Sequence, residues 1–221
     1  MITAADKPLS EDAIRRALDE FSIIVNDLQV VLIQQYMAIL QRWNEKLNLT
    51  AIRDPLEILY RHFCESMYAA VAVPIESGRL ADIGSGAGFP GIPMKILRPD
   101  VELFLVESNI KKGTFLAEVV RELELSGTRV LIGRYEELFE ELAPLDYVCS
   151  RALGEWPFLG VGSVRSPDGS PCPTLDWRPR PPRNTQVAEL GVARSDPGAK
   201  ISSAIPACGN KNDENVGVTT K

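Results

Sequence analysis

The sequence predicts an α/β fold in which a parallel sheet follows a cap of helices. Three observations predict it. From Leu80 onward, short apolar runs alternate with stretches of helical periodicity, the rhythm of strand–helix–strand units joined by right-handed crossovers. Before residue 76 the apolar residues keep helical spacing alone. Between these regions, Leu80 to Gly91 reads as a buried strand that breaks into a glycine-rich turn and then a helix. The expected organisation is a helical cap over 1–76, a sheet core over 77–158 and a proline-rich tail over 159–221.

The first helix runs from Ser10, a capping residue, to Phe21, with Ile14, Leu18 and Phe21 on one face. A longer one spans about Asp27 to Lys46. Leu32, Tyr36, Ile39, Leu40, Trp43 and Leu47 form its apolar face. Asn44, Asn48 and Thr50 cluster where it ends, and these are residue types of caps and turns. A third helix starts with Asp54 as cap and Pro55 at its first position and continues to about Val71. Leu59, Phe63, Met67 and Ala70 point inward, with Arg61, His62, Glu65 and Ser66 at the polar boundary. The chain has one histidine, His62. That argues against histidine-rich metal sites and a Ser-His-Asp triad. It leaves a lone base or, more commonly, a structural imidazole.

Strands follow at Leu80–Ile83, Val101–Val106, Thr128–Ile132 and Leu145–Cys149, with helices at about Pro93–Leu97, Ile110–Leu123 and Glu136–Leu142. Ligands bind such sheets at the carboxyl ends of the strands. Those ends are Asp82–Gly88, Glu107–Asn109, Gly133–Glu136 and Ser150–Arg151. By position, Tyr135 and Glu136 are candidates to meet an adenine, and Arg151 points into the same cleft. Lys111 and Lys112 read as solvated surface charge.

Gly84, Gly86 and Gly88 remove every other side chain, so the backbone can turn sharply and come close to a ligand. A helix starting near Pro90 brings its positive end beside that turn. Gly86 to Gly91 also fits G-x-G-x-x-G, a weak signal alone. Asp82 shifts the balance, because a carboxylate there receives an ammonium and repels a pyrophosphate. Glu107, about 20 residues on at the next strand end, suits the two hydroxyls of a ribose. Together they favour S-adenosylmethionine over NAD. An NAD-dependent oxidoreductase and a tight turn without a ligand are the alternatives.

With 221 residues and 45% hydrophobic content, the chain can bury one sizeable core. A net charge of −6 argues against a protein that coats nucleic acid, while allowing a local basic patch. Cys64, Cys149, Cys172 and Cys208 include no C-x-x-C pair. That disfavours a zinc site and fits a reducing, cytoplasmic setting. No apolar run approaches a membrane span and no signal pattern is seen, so no membrane partner is expected. Leu159 to Lys221 holds 8 of the 16 prolines, and Leu, Ile, Val and Phe make up 11 of its 63 residues. That is too few for a packed domain. The tail is expected to be disordered, a solvated linker rather than an RNA-binding arm.

Six motifs then fall in one order. They are Trp43-Asn44 with Asn48-Leu49-Thr50, Arg61-His62-Phe63-Cys64-Glu65-Ser66, Asp82 to Gly91, Val106-Glu107-Ser108 with Lys111-Lys112, Gly133-Arg134-Tyr135-Glu136, and Ser150-Arg151-Ala152. From about Leu28 to Ala152 the chain resembles the bacterial small-subunit (16S) ribosomal RNA guanine-N7 methyltransferases, the glucose-inhibited division protein B family. Glu65 is a mild departure, since that family often has Asp there.

The resemblance implies a class I, Rossmann-like S-adenosylmethionine-dependent methyltransferase fold with an N-terminal helical cap. It implies cofactor contacts from Gly84, Phe89, Tyr135, Glu136 and Arg151, beside Asp82, Gly86, Gly88 and Glu107 from the residue reading. It implies a cleft for RNA at Asn44, His62, Arg134 and Arg151, with no metal. The partner expected is small-subunit ribosomal RNA or the ribosomal subunit, met by a monomer. Guanine N7 carries a lone pair and no proton, so no general base is required. Phe89 and Trp43 are candidates to stack the base, and Glu65 to favour its developing charge. After Ala152 the resemblance stops, and Trp156-Pro157-Phe158 leads into the proline-rich stretch. The break suggests a reading-frame change or truncation. The sheet is then expected to be incomplete at its C-terminal side, with an unpaired edge on the fourth strand. In that case cofactor binding survives and RNA methylation is impaired.

Overall fold

Ser10 and Asn26 start the first two helices, each by accepting a backbone N–H on its side chain. Helix α1 spans Glu11–Asp19 and α2 spans Asp27–Leu47. Asn26 and Gln29 form a reciprocal capping box on α2, which closes at Asn48 in the left-handed conformation. The structure is a computed structural model that describes residues 9–73, 75–142, 144–151 and 159–163, without the side chains at 136, 139–141 and 159–163.

The third helix differs from expectation. The sequence reads as one regular helix, but the chain forms α3 (Pro55–Ile58), a π-helical turn over Leu59–Cys64, and α4 (Glu65–Ala72). Asp54 caps α3 as expected. Side-chain donors also reach the Arg61 and His62 carbonyls of this wide turn. Arg151 Nη1 donates to the Arg61 carbonyl at 3.0 Å, and Ser66 Oγ donates to that of His62. Both bonds are tertiary or side-chain events that an apolar pattern does not encode. Such π turns recur at functional sites.

The sheet then builds in βα units: β1 (Gly78–Ile83), α5 (Gly91–Leu97), β2 (Val101–Glu107), α6 (Ile110–Glu122), β3 (Thr128–Ile132), α7 (Tyr135–Leu142), β4 (Tyr147–Arg151) and β5 (Leu159–Ser163). Its order is β3-β2-β1-β4-β5. The first four strands are parallel, and β5 runs antiparallel to β4. The expected α/β, Rossmann-like fold is therefore present. Strand order reverses between β1 and β4, the place where such sheets take ligands.

Two expectations are corrected. The fourth strand runs from Tyr147 to Arg151, two residues later than read, because Leu145 is buried in the core before the strand begins. The outer edge of β4 is not free, since Arg151 pairs with Leu159 and Tyr147 with Ser163. Leu-Gly-Val-Gly-Ser is too short, and too glycine-rich, to stand out as a strand from its sequence. The remainder of the expected disordered tail, 164–221, lies outside the described residues.

The larger core joins Ile14, Val30, Leu40, Leu59 and Met67 of the helical segment to Leu80, Leu103 and Leu105 of the sheet. Each such fully buried side chain contributes about 1.5–3 kcal/mol. The other sheet face packs Ala81, Phe104 and Val106 against Leu142 and Leu145. Among the described residues, no helix is long and apolar enough to cross a membrane.

Candidate functional site

The turn after β1 has Gly84, Gly86 and Gly88 in the left-handed region, at φ 71°, 57° and 84°. Two of these glycines serve different ends. A Cβ on Gly88 would stand 2.4 Å from the Tyr36 hydroxyl and 2.5 Å from Ile92 Cδ1. Its absence lets the turn sit on α2, where the Tyr36 hydroxyl donates to the Ala87 carbonyl. A Cβ on Gly86 would meet only the Gly84 carbonyl oxygen, at 3.8 Å. Gly86 therefore faces open space, and its bare backbone suits the close approach of a ligand.

Glu107 ends β2 beside this turn. Its Oε2 accepts the Gly86 N–H and its Oε1 the Asn109 N–H, each at 2.8 Å. An ionised carboxylate offers about four acceptor positions. Two therefore remain for hydroxyl donors such as those of a ribose.

Asp82 lies beneath the turn with no exposed surface. Its Oδ2 accepts the Gly91 N–H at 3.0 Å, so the first amide of α5 is already satisfied by the chain's own carboxylate. A Cβ on Gly91 would come within 2.7 Å of that oxygen. A pyrophosphate would need this amide, which counts against the NAD alternative. Asp82 Oδ1 meets no hydrogen-bond donor of ordinary geometry. The Cys149 thiol, a weak donor in β4, and the Ser85 hydroxyl lie beside the carboxyl group. Burial pushes the carboxyl up to about 7, partly opposed by the Gly91 amide, the thiol and the Arg151 charge. An unsatisfied buried oxygen of this kind suits one more donor, such as an ammonium or a bridging water.

A second cluster meets the turn at Phe89. The His62 ring stacks on Phe89 at 4.7 Å between centroids and Tyr36 stacks on it at 5.3 Å. Phe63 stands edge-on at 5.4 Å, and the Arg151 guanidinium lies 5.7 Å from the ring centre. Phe89 is 5% exposed, so it keeps no free face to stack a base. Trp43, the other aromatic candidate, packs edge-on against Phe115 at 5.8 Å. For Phe89 the sequence shows an aromatic near the cleft, and packing has used both its faces, while Trp43 stays half-buried.

His62 is bonded at both ring nitrogens, by Arg151 at Nδ1 and by Thr50 Oγ1 at 2.8 Å from Nε2. Burial and the Arg151 charge lower its pKa to about 3, so the ring is neutral at ordinary pH. Asn44 clamps the Thr50 backbone at two points, of 2.9 and 3.0 Å. Burial lowers the Arg151 pKa, while Glu65 and Asp82 oppose that change. Glu65 is itself raised by burial and lies 3.6 Å from Arg61.

The structure thus brings Asn44, His62, Phe89, Asp82 and Arg151 together, with Gly84, Gly86, Gly88 and Glu107 alongside. Arg134 is exposed just before α7, where its carbonyl accepts the Glu137 and Leu138 amides. No described contact joins it to the His62 cluster. Tyr135 packs against the smaller core, and the Glu136 side chain lies outside the described residues. Sequence reading missed Tyr36, Cys149 and the hydroxyl of Thr50 as parts of this site. The clustering of Asn44 with Thr50 was the available signal for the last.

Residues 29–161 match the family described as GidB: rRNA small subunit methyltransferase G. The chain is 49% identical over 119 residues to the ribosomal RNA small subunit methyltransferase G of Xanthomonas euvesicatoria pv. vesicatoria (strain 85-10), covering 54% of this chain and 55% of that one. It is 45% identical over 123 residues to the protein of that name from Desulfitobacterium hafniense (strain Y51), covering 54% and 51%. The chain thus matches about half the length of these curated relatives. A solved structure, precorrin-6y C5,15-methyltransferase from Geobacter metallireducens GS-15, overlaps 40% of this chain and 48% of its own. That overlap has 20% identity and a TM-score of 0.35, too small to bear on function. The family match takes in α2, the π turn, the glycine turn and the first four strands, and the chain belongs to the GidB family.

Proposed function

We propose that this chain binds S-adenosylmethionine at the glycine turn and directs its methyl group to N7 of a guanine in small-subunit ribosomal RNA. The observation that carries the reading is Gly86, open-faced and bonded to Glu107, at the strand-order switch of a GidB-family sheet. Glu107 has acceptor positions for ribose hydroxyls. Asp82 Oδ1 is a buried acceptor for the amino-acid end. Asn44, Arg134 and Arg151 are the RNA-cleft residues of this reading, with Tyr135 and Glu136 on the adenine side. The protein acts as a cytoplasmic monomer on the RNA or on the ribosomal subunit.

The bound cofactor supplies an electrophilic methyl on sulfur. The chain's residues have to hold and align, because N7 gives up no proton. His62 suits this role as a neutral ring with both nitrogens engaged. Alignment alone can supply up to ~7–11 kcal/mol of the barrier reduction. The alkylated purine becomes cationic, and Glu65 is the carboxylate this reading assigns to favour that charge.

Tritiated methyl transfer from S-adenosylmethionine to undermodified small-subunit RNA, with calorimetry of cofactor binding, tests the proposal. Label on guanine N7 is the expected result. Cofactor binding without transfer would instead support a non-catalytic S-adenosylmethionine-binding remnant. The chain's partial coverage of its relatives favours keeping that second reading. Absence of both binding and transfer would overturn the proposal.

A further inference from the structure

Apolar spacing puts Tyr36 on the inward face of α2, and the methyl-transfer reading gives its hydroxyl no task. The residue is fully buried. Its ring is placed by packing, stacked on Phe89 at 5.3 Å and edge-on to Phe63 at 5.2 Å between centroids. Burial and the Asp82 charge push the hydroxyl pKa up, so the O–H keeps its proton. That proton is donated to the Ala87 carbonyl, 51 residues along the chain.

The other amides around this bond are tied down one by one. Those of Gly84 and Ser85 donate to the Val106 carbonyl at 2.9 and 3.0 Å. The Gly86 amide donates to Glu107 at 2.8 Å. Those of Gly88 and Phe89 donate to the Ser85 carbonyl at 2.7 and 3.2 Å. Among the described residues, the Ala87 N–H has no acceptor. It belongs to the Gly86–Ala87 peptide, beside the missing Cβ that opens to free space. Buried amides are nearly always paired, so an open one here suits an acceptor atom of a ligand. The peptide before it is pinned by Glu107, and the peptide after it by Ser85 and Tyr36.

We propose that Tyr36 is a positioning residue for cofactor binding, an assignment that rests on S-adenosylmethionine being the ligand of this turn. Its hydroxyl fixes the Ala87–Gly88 peptide. With Glu107 holding the other side, the Gly86–Ala87 peptide is set to offer its N–H to the ligand. The cap helix thus shapes the pocket through one hydroxyl.

Tyr36→Phe keeps both ring contacts and removes only that hydroxyl. Amide exchange of the full chain, read by NMR without cofactor, should show Ala87 fast and Gly86 and Gly88 protected. In Tyr36→Phe, Gly88 should exchange about three- to tenfold faster, the factor for one hydrogen bond, while Gly86 stays held by Glu107. Calorimetry should find S-adenosylmethionine bound about three- to tenfold more weakly. Ser10→Ala removes the cap of α1 at a comparable cost in stability and should change neither readout, which separates positioning from general destabilisation. A protected Ala87 amide in the ligand-free wild type overturns the proposal. So does Gly88 exchange or cofactor affinity that is unchanged in Tyr36→Phe, and so does an equal effect in Ser10→Ala. If Tyr36→Phe does not fold, the wild type still decides, since an Ala87 amide that stays fast with cofactor bound overturns the proposal. If the wild type binds no S-adenosylmethionine, the methyl-transfer reading fails, and the exchange comparison alone decides whether Tyr36 holds the turn.

Discussion

The glycine turn after β1 and the π turn before α4 meet at Phe89, yet they are specified in opposite ways. The glycine turn rests on local chemistry. Three residues at positive φ have no Cβ, and one of them could not carry it beside Tyr36. The π turn also draws on partners elsewhere in the chain. Its Arg61 and His62 carbonyls are served by Arg151 and Ser66, and the imidazole by Thr50. One segment can be read from residue identity. The other is also held by the far end of the sheet, through Arg151.

The largest effect should come from Gly88→Ala. Its methyl would overlap the Tyr36 hydroxyl, at the strained φ of 84°, for a loss of about 2–5 kcal/mol. Gly86→Ala has the strain without the overlap. It should lose about 1–2 kcal/mol and weaken cofactor binding. Urea unfolding and calorimetry of the two variants compare a packing glycine with a ligand-facing one. Equal stability losses would erase the distinction between them.

Asp82 sits under the same turn and should give it a pH signature. Its native value of about 7 lies above the ordinary 3.8. The folded chain therefore keeps a proton that the unfolded chain has released. Its stabilising contribution is full below about pH 4 and is lost as the pH rises through about 7, by up to about 4 kcal/mol. Asp82→Asn should flatten that part of the stability–pH curve in urea titrations. An unchanged slope would assign it to other groups.

In the π turn, Ser66→Ala leaves the His62 carbonyl without its side-chain donor in a buried setting. The expected loss is about 1–3 kcal/mol, with faster amide exchange confined to residues 59–66. If exchange accelerates equally in the glycine turn, the two segments are one cooperative unit and the contrast fails. The smallest effect should be Arg61→Ala. It breaks a part-exposed pair with Glu65 at 3.6 Å, worth about 0.3–0.5 kcal/mol, and double-mutant unfolding would measure it.

Much of the fold was legible because its signals are local. Ser10, Asp54 and Pro55 mark helix starts, and the alternation from Leu80 gives the parallel strands. The site was legible in part. Asp82, the glycines, Glu107, His62 and Arg151 do converge, while no described contact joins Arg134 to the His62 cluster and Tyr135 packs against the smaller core. Phe89 was identifiable as an aromatic near the cleft, but only packing shows that its faces are taken. The start of β4 and the strand β5 were missed, because a buried Leu145 and five glycine-broken residues carry no distinct period.

By itself the sequence determined the element types, the glycine turn and the family motifs. Each follows from a residue's own backbone preference or from apolar spacing within one element. The tertiary structure decided how far Asp82 is buried, which partners the His62 ring nitrogens meet, and that Leu59–Cys64 widens into a π turn. Those outcomes depend on partners 12 to 90 residues away in the chain. No local pattern specifies which of several donors reaches a given acceptor once the core has closed.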